Sequence, residues 1–147
     1  MASVRDLRRL ALSMPGALEI RAGMAFAVRN GEKEKAFTWV WQERVDPKKP
    51  RRPNVEVWAF RTADLAEKDL LLEADSRKFF TEPHYDGFPA VLVRLKAVSS
   101  SELRRLVELA WRCQAPAAGR KAQEETGRRP VRRGGKGAAR GAKAARR

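Results

Sequence analysis

The composition of the chain changes at Pro116, and this change limits which residues can form a core. Residues 117–147 contain no aromatic side chain, and Val131 is their single large aliphatic residue. A segment of Ala, Gly, Lys and Arg buries too little apolar surface to offset the entropy of ordering its backbone, so we expect a disordered tail. The folded domain is therefore expected in residues 1–116, a length typical of one small domain.

The tail also concentrates the positive charge. Over all 147 residues, 32 Lys and Arg against 18 Asp and Glu give a formal net charge of +14, and residues 117–147, with eleven basic and two acidic residues, contribute +9 of it. Such a surplus attracts polyanions, and we expect nucleic acid as the partner. A solubilising extension or a compositional bias of the source genome is the alternative. The tail residues predicted to contact phosphate are Arg128, Arg129, Arg132, Arg133, Lys136, Arg140, Lys143, Arg146 and Arg147.

Cysteine count and hydropathy restrict the location of the protein. Cys113 is the only cysteine, so the fold depends on no internal disulfide and suits a reducing compartment. No apolar run reaches the roughly 18 to 20 residues that span a bilayer, and the first residues lack the apolar stretch of a secretory signal. We therefore expect a cytoplasmic protein without a membrane partner, associated with the nucleoid if its ligand is DNA.

Two segments have the caps and periodicity of amphipathic helices. Ser3 and Asp6 form a capping-box pattern before apolar residues at helical spacing, and a Pro-Gly pair at residues 15–16 ends this first helix. Ser99 and Glu102 form the same pattern at the start of the last helix. The apolar stripe of that helix is formed by Leu103, Leu106, Val107, Ala110 and Trp111.

Alternating apolar and polar residues predict strands between these helices. The predicted strands are residues 24–28, 36–42, 55–60 and 90–95. The first of them runs into Asn30-Gly31, a pair that accepts the positive φ angles of a tight hairpin turn. We expect an antiparallel meander in which Phe37, Trp39 and Trp41 share one face of their strand.

Two further segments lie between the third and fourth predicted strands. Thr62 or Asp64 can cap a short helix that reaches about residue 74. The aromatic-rich residues 79–89 are expected to form an ordered loop.

Residues 43–54 are predicted to form an exposed basic loop. Three prolines within this segment argue against a continuous strand ladder, because proline has no backbone N–H to donate. The loop residues predicted to contact phosphate are Lys48, Lys49, Arg51 and Arg52.

Three stretches follow one another in a recognisable order: LALSMPGALE at residues 10–19, FFTEPHYDGFPAVLVRL at 79–95 and SSSELRRLVELAWRCQAP at 99–116. Together they resemble the MmcQ/YjbR family of small bacterial proteins over about residues 3–116. The resemblance implies a CyaY-like α+β fold of two layers, with helices packed on one face of an antiparallel sheet. It also implies DNA binding and carries over no catalytic residues, while the long basic loop and the basic tail depart from the family pattern.

The chain offers no recognisable arrangement for catalysis. No nucleophile stands beside a base, and no glycine-rich loop follows a strand to hold phosphate. His84 is the only histidine and has no second ligand at metal-binding spacing, so we expect its imidazole to hold the loop by hydrogen bonds. Carboxylates in residues 64–75 invite comparison with the iron-binding helix of frataxin-like proteins, but their alternation with Leu and Lys favours a solvated face. We predict no enzymatic activity, no metal and no cofactor.

The leading hypothesis is a non-catalytic protein that binds nucleic-acid phosphates largely without regard to sequence, DNA in preference to RNA. Stacking of bases on Trp39, Trp41, Trp58 or Phe60 is a further option for exposed rings. One alternative is a protein-interaction module that receives a partner near residues 79–89. A small-molecule or metal binder that uses His84 and nearby carboxylates is the least favoured alternative.

Overall fold

The computed structural model describes residues 1–117, and most of the predicted tail lies outside this range. A six-stranded antiparallel sheet, with strand order β1-β2-β3-β4-β6-β5, carries three helices packed on it, so the α+β prediction is confirmed. Within residues 1–117, no helix has the length and apolar character to cross a membrane. In chain order the elements are α1 (Val4–Leu12), β1 (Ala17–Ile20), β2 (Ala25–Asn30), β3 (Lys33–Glu43), β4 (Arg52–Arg61), α2 (Leu65–Ala74), β5 (Phe79–Phe80), β6 (Ala90–Arg94) and α3 (Ser100–Gln114).

Both predicted capping boxes are present. The Ser3 hydroxyl accepts a hydrogen bond from the Asp6 N–H at 3.2 Å, and the Asp6 carboxylate accepts one from the Ser3 N–H at 3.0 Å. The Ser3 hydroxyl also donates to this carboxylate at 3.0 Å, and this bond together with that from the Ser3 N–H lowers the pKa of the Asp6 carboxyl. Ser99 and Glu102 repeat the arrangement at the start of α3. Both helices therefore begin where the local sequence satisfies the first free N–H groups.

Trp111 links α3 to the Pro-Gly turn that follows α1. Its side chain is fully buried, and its Nε1 donates to the carbonyl oxygen of Pro15 at 2.9 Å. At the end of the same helix, Gln114 Nε2 donates to the Ala36 carbonyl and Asn30 Nδ2 donates to the Gln114 carbonyl, each at 3.0 Å. The indole and these amide bonds fix α3 against α1 and the β2–β3 hairpin.

The two faces of the sheet bury different clusters. The helix-covered face carries the larger one, in which Phe26 and Trp58 stack with their ring centroids 5.8 Å apart. The opposite face is covered by residues 81–89, the 81–89 loop, and we call it the loop-covered face. Its cluster comprises Val57, Ala59, Tyr85, Ala90 and Leu92, with Trp39, Trp41 and Phe80 packed against it.

The prediction that Phe37, Trp39 and Trp41 share one face is wrong. Phe26 pairs with Thr38 and the next residue of β2 pairs with Ala36, so Phe37 is an extra residue in β3. Such a bulge interrupts the strict alternation of side chains along a strand. Phe37 is consequently buried with the helices, whereas the two indoles lie on the loop-covered face.

The predicted basic loop is too long at both ends. β3 continues to Glu43 and β4 begins at Arg52, with Gln42 paired opposite Pro53, so the loop itself is residues 44–51. β6 pairs with β4 only from Val57 onward, which leaves the first residues of β4 with a partner on one side alone. Proline is tolerated there because this part of β4 has one side without a partner strand.

Two short strands were not predicted. β1 has four residues and β5 has two, lengths at which a period of two cannot be recognised. β1 is defined by its pairing with β2, and β5 by its pairing with β6. Asp64 is the cap of α2, accepting a hydrogen bond from the Glu67 N–H at 2.9 Å.

Replacing Trp111 with Ala is expected to lower the free energy of unfolding by about 3 to 5 kcal/mol, because it removes a large buried ring and the hydrogen bond to Pro15. Denaturant unfolding measures the change. Trp111→Phe should be milder, since it restores most of the apolar volume. A loss below about 1 kcal/mol in the alanine variant would contradict the buried position.

Candidate nucleic-acid interface

The loop between β3 and β4 is a turn organised by Asp46. Its carboxylate accepts a hydrogen bond from the Lys48 N–H and its carbonyl accepts one from the Lys49 N–H, both at 2.9 Å. An aspartate that binds the backbone two residues ahead is a common turn-forming device. The turn presents two consecutive lysines at the end of the hairpin.

The four cations predicted in this loop are brought to one end of the sheet, but they are not equivalent. The side chains of Lys48, Lys49 and Arg52 are exposed and, within residues 1–117, form no ion pair or side-chain hydrogen bond. Lys49 and Arg52 line the same surface groove, whose volume is about 550 Å³. These three side chains can reach a phosphate without breaking an existing interaction.

Arg51 is instead part of the structure. Its Nη1 donates to the Gln42 carbonyl at 2.8 Å and lies 3.9 Å from a carboxylate oxygen of Glu82. Its side chain is about one-third exposed, so only part of it is accessible to an external ligand. The expectation that all four cations of this loop are exposed is therefore wrong for Arg51.

The candidate phosphate ligands of the tail lie outside the described residues, and their role stays a prediction. They are Arg128, Arg129, Arg132, Arg133, Lys136, Arg140, Lys143, Arg146 and Arg147.

The aromatic residues considered for base stacking divide between the two faces. Trp58 and Phe60 are each 1% exposed on the helix-covered face, which removes them as stacking platforms. Trp39 and Trp41 are half-buried on the loop-covered face. Trp41 meets the ring of Phe80 edge-on at 5.4 Å, so part of its surface is already in contact within the protein.

The 81–89 loop is held over the sheet by a buried lysine of α2. Lys68 is 3% exposed, and its ammonium donates to the carbonyl oxygens of Tyr85 at 2.5 Å and Phe88 at 2.9 Å. Burial lowers the pKa of Lys68, an effect that the negative charges of Asp86 and Asp69 oppose. Sequence reasoning treated this helix as a solvated charged surface and missed the buried cation.

A signal for this burial does exist in the sequence. Leu71 and Leu72 stand three and four residues after Lys68 and pack against the main core. Residues at those spacings lie on one side of a helix, so the lysine stem faces inward with them.

Tyr85 fixes the orientation of Trp39 beneath the loop. The indole Nε1 donates to the Tyr85 hydroxyl oxygen at 3.0 Å, and the ring of Phe88 meets the same indole edge-on at 6.3 Å. Burial raises the pKa of the Tyr85 phenol, which therefore remains protonated at neutral pH.

His84 differs from the expectation that its imidazole holds the loop. The side chain is exposed, its ring lies 5.7 Å from that of Tyr85, and only its backbone N–H is bonded, to Glu82 at 3.4 Å. The imidazole makes no hydrogen bond with any residue of the described range. It is thus available at the surface of the loop-covered face.

Three carboxylates of the α2 region have local partners. Asp64 caps the helix, Glu67 accepts from the Ala63 N–H at 2.6 Å, and Asp75 accepts from Arg77. Bonds from Arg77 lower the pKa of the Asp75 carboxyl. In the part of the chain that the structure describes, no group of three potential metal-binding side chains is found.

Two bacterial proteins are similar to part of this chain in sequence. No family profile matches the chain. Uncharacterized protein Rv2570 of Mycobacterium tuberculosis and Uncharacterized protein Mb2600 of Mycobacterium bovis are each 39% identical to it over 64 residues, which is 44% of this chain and 50% of theirs. The chain thus spans about half the length of the curated relatives it matches, and these relatives are bacterial.

One solved structure has a similar fold. The crystal structure of Deinococcus radiodurans protein DR2400, a DUF419 domain, superposes with a TM-score of 0.55 at 19% identity, covering 76% of this chain and 77% of that one. DUF419 is related to the MmcQ/YjbR family. At this identity the likeness shows the fold alone.

Lys68→Met is expected to reduce the free energy of unfolding by about 2 kcal/mol, since it keeps the apolar stem but leaves two loop carbonyls without their donor. Denaturant titration monitored by tryptophan fluorescence checks this value. Lys35→Met is the control, because Lys35 is exposed. Equal losses in the two variants would show that the loop does not depend on the buried ammonium.

Arg51→Ala is expected to lower the free energy of unfolding by about 1 kcal/mol, because it removes a charged donor from the Gln42 carbonyl. Lys49→Ala should change it by less than about 0.5 kcal/mol, as is usual for exposed side chains without partners. Thermal unfolding of both variants separates the structural arginine from the available lysine. A larger loss of stability in Lys49→Ala than in Arg51→Ala would contradict the structural role of Arg51.

Proposed function

We propose that this chain is a non-catalytic nucleic-acid-binding protein of the MmcQ/YjbR type, with DNA as its ligand. The observation that carries the proposal is the exposed cluster of Lys48, Lys49 and Arg52 at the end of a fixed hairpin, in a chain of net charge +14. The basic residues of 117–147 supply a second set of phosphate contacts. The cytoplasm, and within it the nucleoid, is the location that fits this role.

The family assignment is supported by where the three resembling stretches lie in the fold. They occupy the end of α1 with the following turn, the 81–89 loop with β6, and α3. Trp111 of the third stretch bonds to Pro15 of the first, so these two stretches are in direct contact. The DUF419 fold of DR2400 agrees with this assignment.

The charge distribution predicts how DNA binding is divided between the hairpin and residues 117–147. Residues 43–56 contain five basic and three acidic residues, whereas residues 117–147 hold most of the net charge. Neutralising a phosphate releases counterions, so each contact adds to the salt dependence of binding. We therefore assign most of the affinity to residues 117–147 and the placement of the folded domain on the duplex to the hairpin. Phosphate contacts of this kind position a protein without reading bases.

The salt dependence of binding to duplex DNA tests the proposal. On full-length protein, log K should fall linearly with log salt, by about 0.9 per phosphate neutralised. Lys48→Gln/Lys49→Gln should flatten the slope by about one to two units. Replacing the nine named basic residues of the tail with Gln should flatten it by several units. Fluorescence anisotropy with several unrelated duplexes, and with RNA of matched sequence, gives the slopes.

Lys33→Gln/Lys35→Gln is the matched control, because it removes the same charge from exposed lysines at the opposite end of β3. Its slope should remain close to that of the unchanged protein. Equal flattening by the two double variants would contradict a hairpin interface. An unchanged slope after the tail substitutions would contradict the role of the tail, and tighter binding to RNA than to DNA would contradict the choice of ligand.

A further inference from the structure

A cavity of about 500 Å³, with Met24 and Val40 as its aliphatic lining, opens at the margin of the loop-covered face. It lies among the β1–β2 turn, β3, the last residue of the loop before β4 and the 81–89 loop. Its polar and aromatic lining includes Arg21, Trp39, Arg51, His84 and Tyr85, and no aspartate or glutamate lines it. The volume is within the range of sites for small organic ligands, and the lining is cationic.

Arg21 reaches this cavity from an unusual backbone. It has φ of 55°, and the next two residues, Ala22 and Gly23, have φ of 54° and 86°. Left-handed conformations are uncommon for residues with a side chain, and they concentrate at binding and catalytic sites. The four-residue connection between Ile20 and Ala25 holds Arg21 in this conformation, with the Met24 N–H bonded to the Arg21 carbonyl at 3.0 Å.

Two further donors are held in place by existing bonds. Arg51 uses Nη1 for the Gln42 carbonyl, and its other guanidinium N–H groups remain for a ligand. The Tyr85 oxygen accepts from Trp39, which leaves its own O–H to donate. A carboxylate oxygen of Glu82 lies 3.9 Å from Arg51 Nη1 and offsets part of the charge of Arg51.

Trp39 supplies a planar wall next to these donors. Its indole is half-buried and oriented by the bond to Tyr85 and the edge contact with Phe88. The exposed imidazole of His84 completes the lining and has no hydrogen-bond partner among the described residues. A fixed aromatic face beside guanidinium groups matches a ligand that joins a planar ring to an anion.

We propose that this cavity binds a nucleoside monophosphate, with the phosphate on Arg21, Arg51 and the Tyr85 hydroxyl and the base against Trp39. The doubly charged phosphate suits two guanidinium groups, one of them partly neutralised by Glu82. The site does not depend on the phosphate contacts of the hairpin and tail. The same chemistry is offered by a free nucleotide and by the 5′-phosphorylated end of a nucleic-acid strand.

Calorimetric titration with adenosine 5′-monophosphate tests the site. The full chain is used with the nine named basic residues of the tail changed to Gln, so that binding by the tail is removed. We expect one site per chain, and at least tenfold weaker binding of both adenosine, which lacks the phosphate, and ribose 5-phosphate, which lacks the base. Equal affinities for adenosine and adenosine 5′-monophosphate, or no binding at millimolar nucleotide, would overturn the proposal.

Variants of the lining then locate the site. Arg21→Gln should weaken nucleotide binding about tenfold or more, by loss of a charge-assisted contact, and His84→Gln severalfold. His84 is exposed, so its variant should remain folded, which thermal unfolding verifies. Arg104→Gln is the control, since this exposed arginine is on α3 at the opposite face of the sheet. Equal binding by the Arg21 and Arg104 variants would overturn the proposal.

The source of the nucleotide is distinguished with short single strands that carry either a 5′-phosphate or a 5′-hydroxyl. A preference for the phosphorylated strand that Arg21→Gln abolishes identifies the strand end as the ligand. Equal binding of the two strands, together with tight binding of the free nucleotide, identifies the free nucleotide. Both results support the cavity, and neither depends on the salt slopes that test the hairpin and tail.

Discussion

The buried ammonium of Lys68 is the interaction on which the loop-covered face depends. A charged group with 3% exposure is costly unless its donors are satisfied, and two of them meet the carbonyls of Tyr85 and Phe88. Tyr85 accepts a hydrogen bond from the Trp39 indole, and Phe88 meets the same indole edge-on. Trp39 in turn lines the cavity that contains Arg21 and Arg51. One side chain of α2 thus helps to set the geometry of a cavity that no residue of α2 lines.

The elements with strong local signals were predictable from the sequence. Ser3 and Ser99 mark the helix starts because capping depends on residues only three positions apart, and the stripe ending at Trp111 follows from helical periodicity alone. The errors arise where pairing between strands decides the outcome. The extra residue at Phe37 and the entry of Pro53 into β4 depend on which neighbour each strand has, and β1 and β5 exist only through their partners.

In the candidate sites, too, features set by neighbouring residues could be predicted, and features set by distant residues could not. The exposure of Lys48 and Lys49 follows from a proline-bounded polar turn, which local composition reveals. The structural role of Arg51 depends on a carbonyl across the hairpin and on Glu82, which is distant in sequence. The convergence of Arg21 with Arg51 likewise requires two turns to meet in space. Arg51 lines the cavity and also belongs to the hairpin loop that carries Lys48 and Lys49. A ligand in the cavity would therefore contact the same loop.

The unpaired edges of the sheet are short in the described part of the chain. β1 and β5, at the two ends of the strand order, have four and two residues, and the exposed start of β4 contains Pro53. The ion pair between Arg8 of α1 and Glu19 of β1 lies at the first of these edges. A free strand edge is a template for self-association, and short strands and proline are the usual protections. Within residues 1–117, this aromatic-rich sheet therefore offers little free backbone onto which a second copy of the chain could add a strand and begin a fibre.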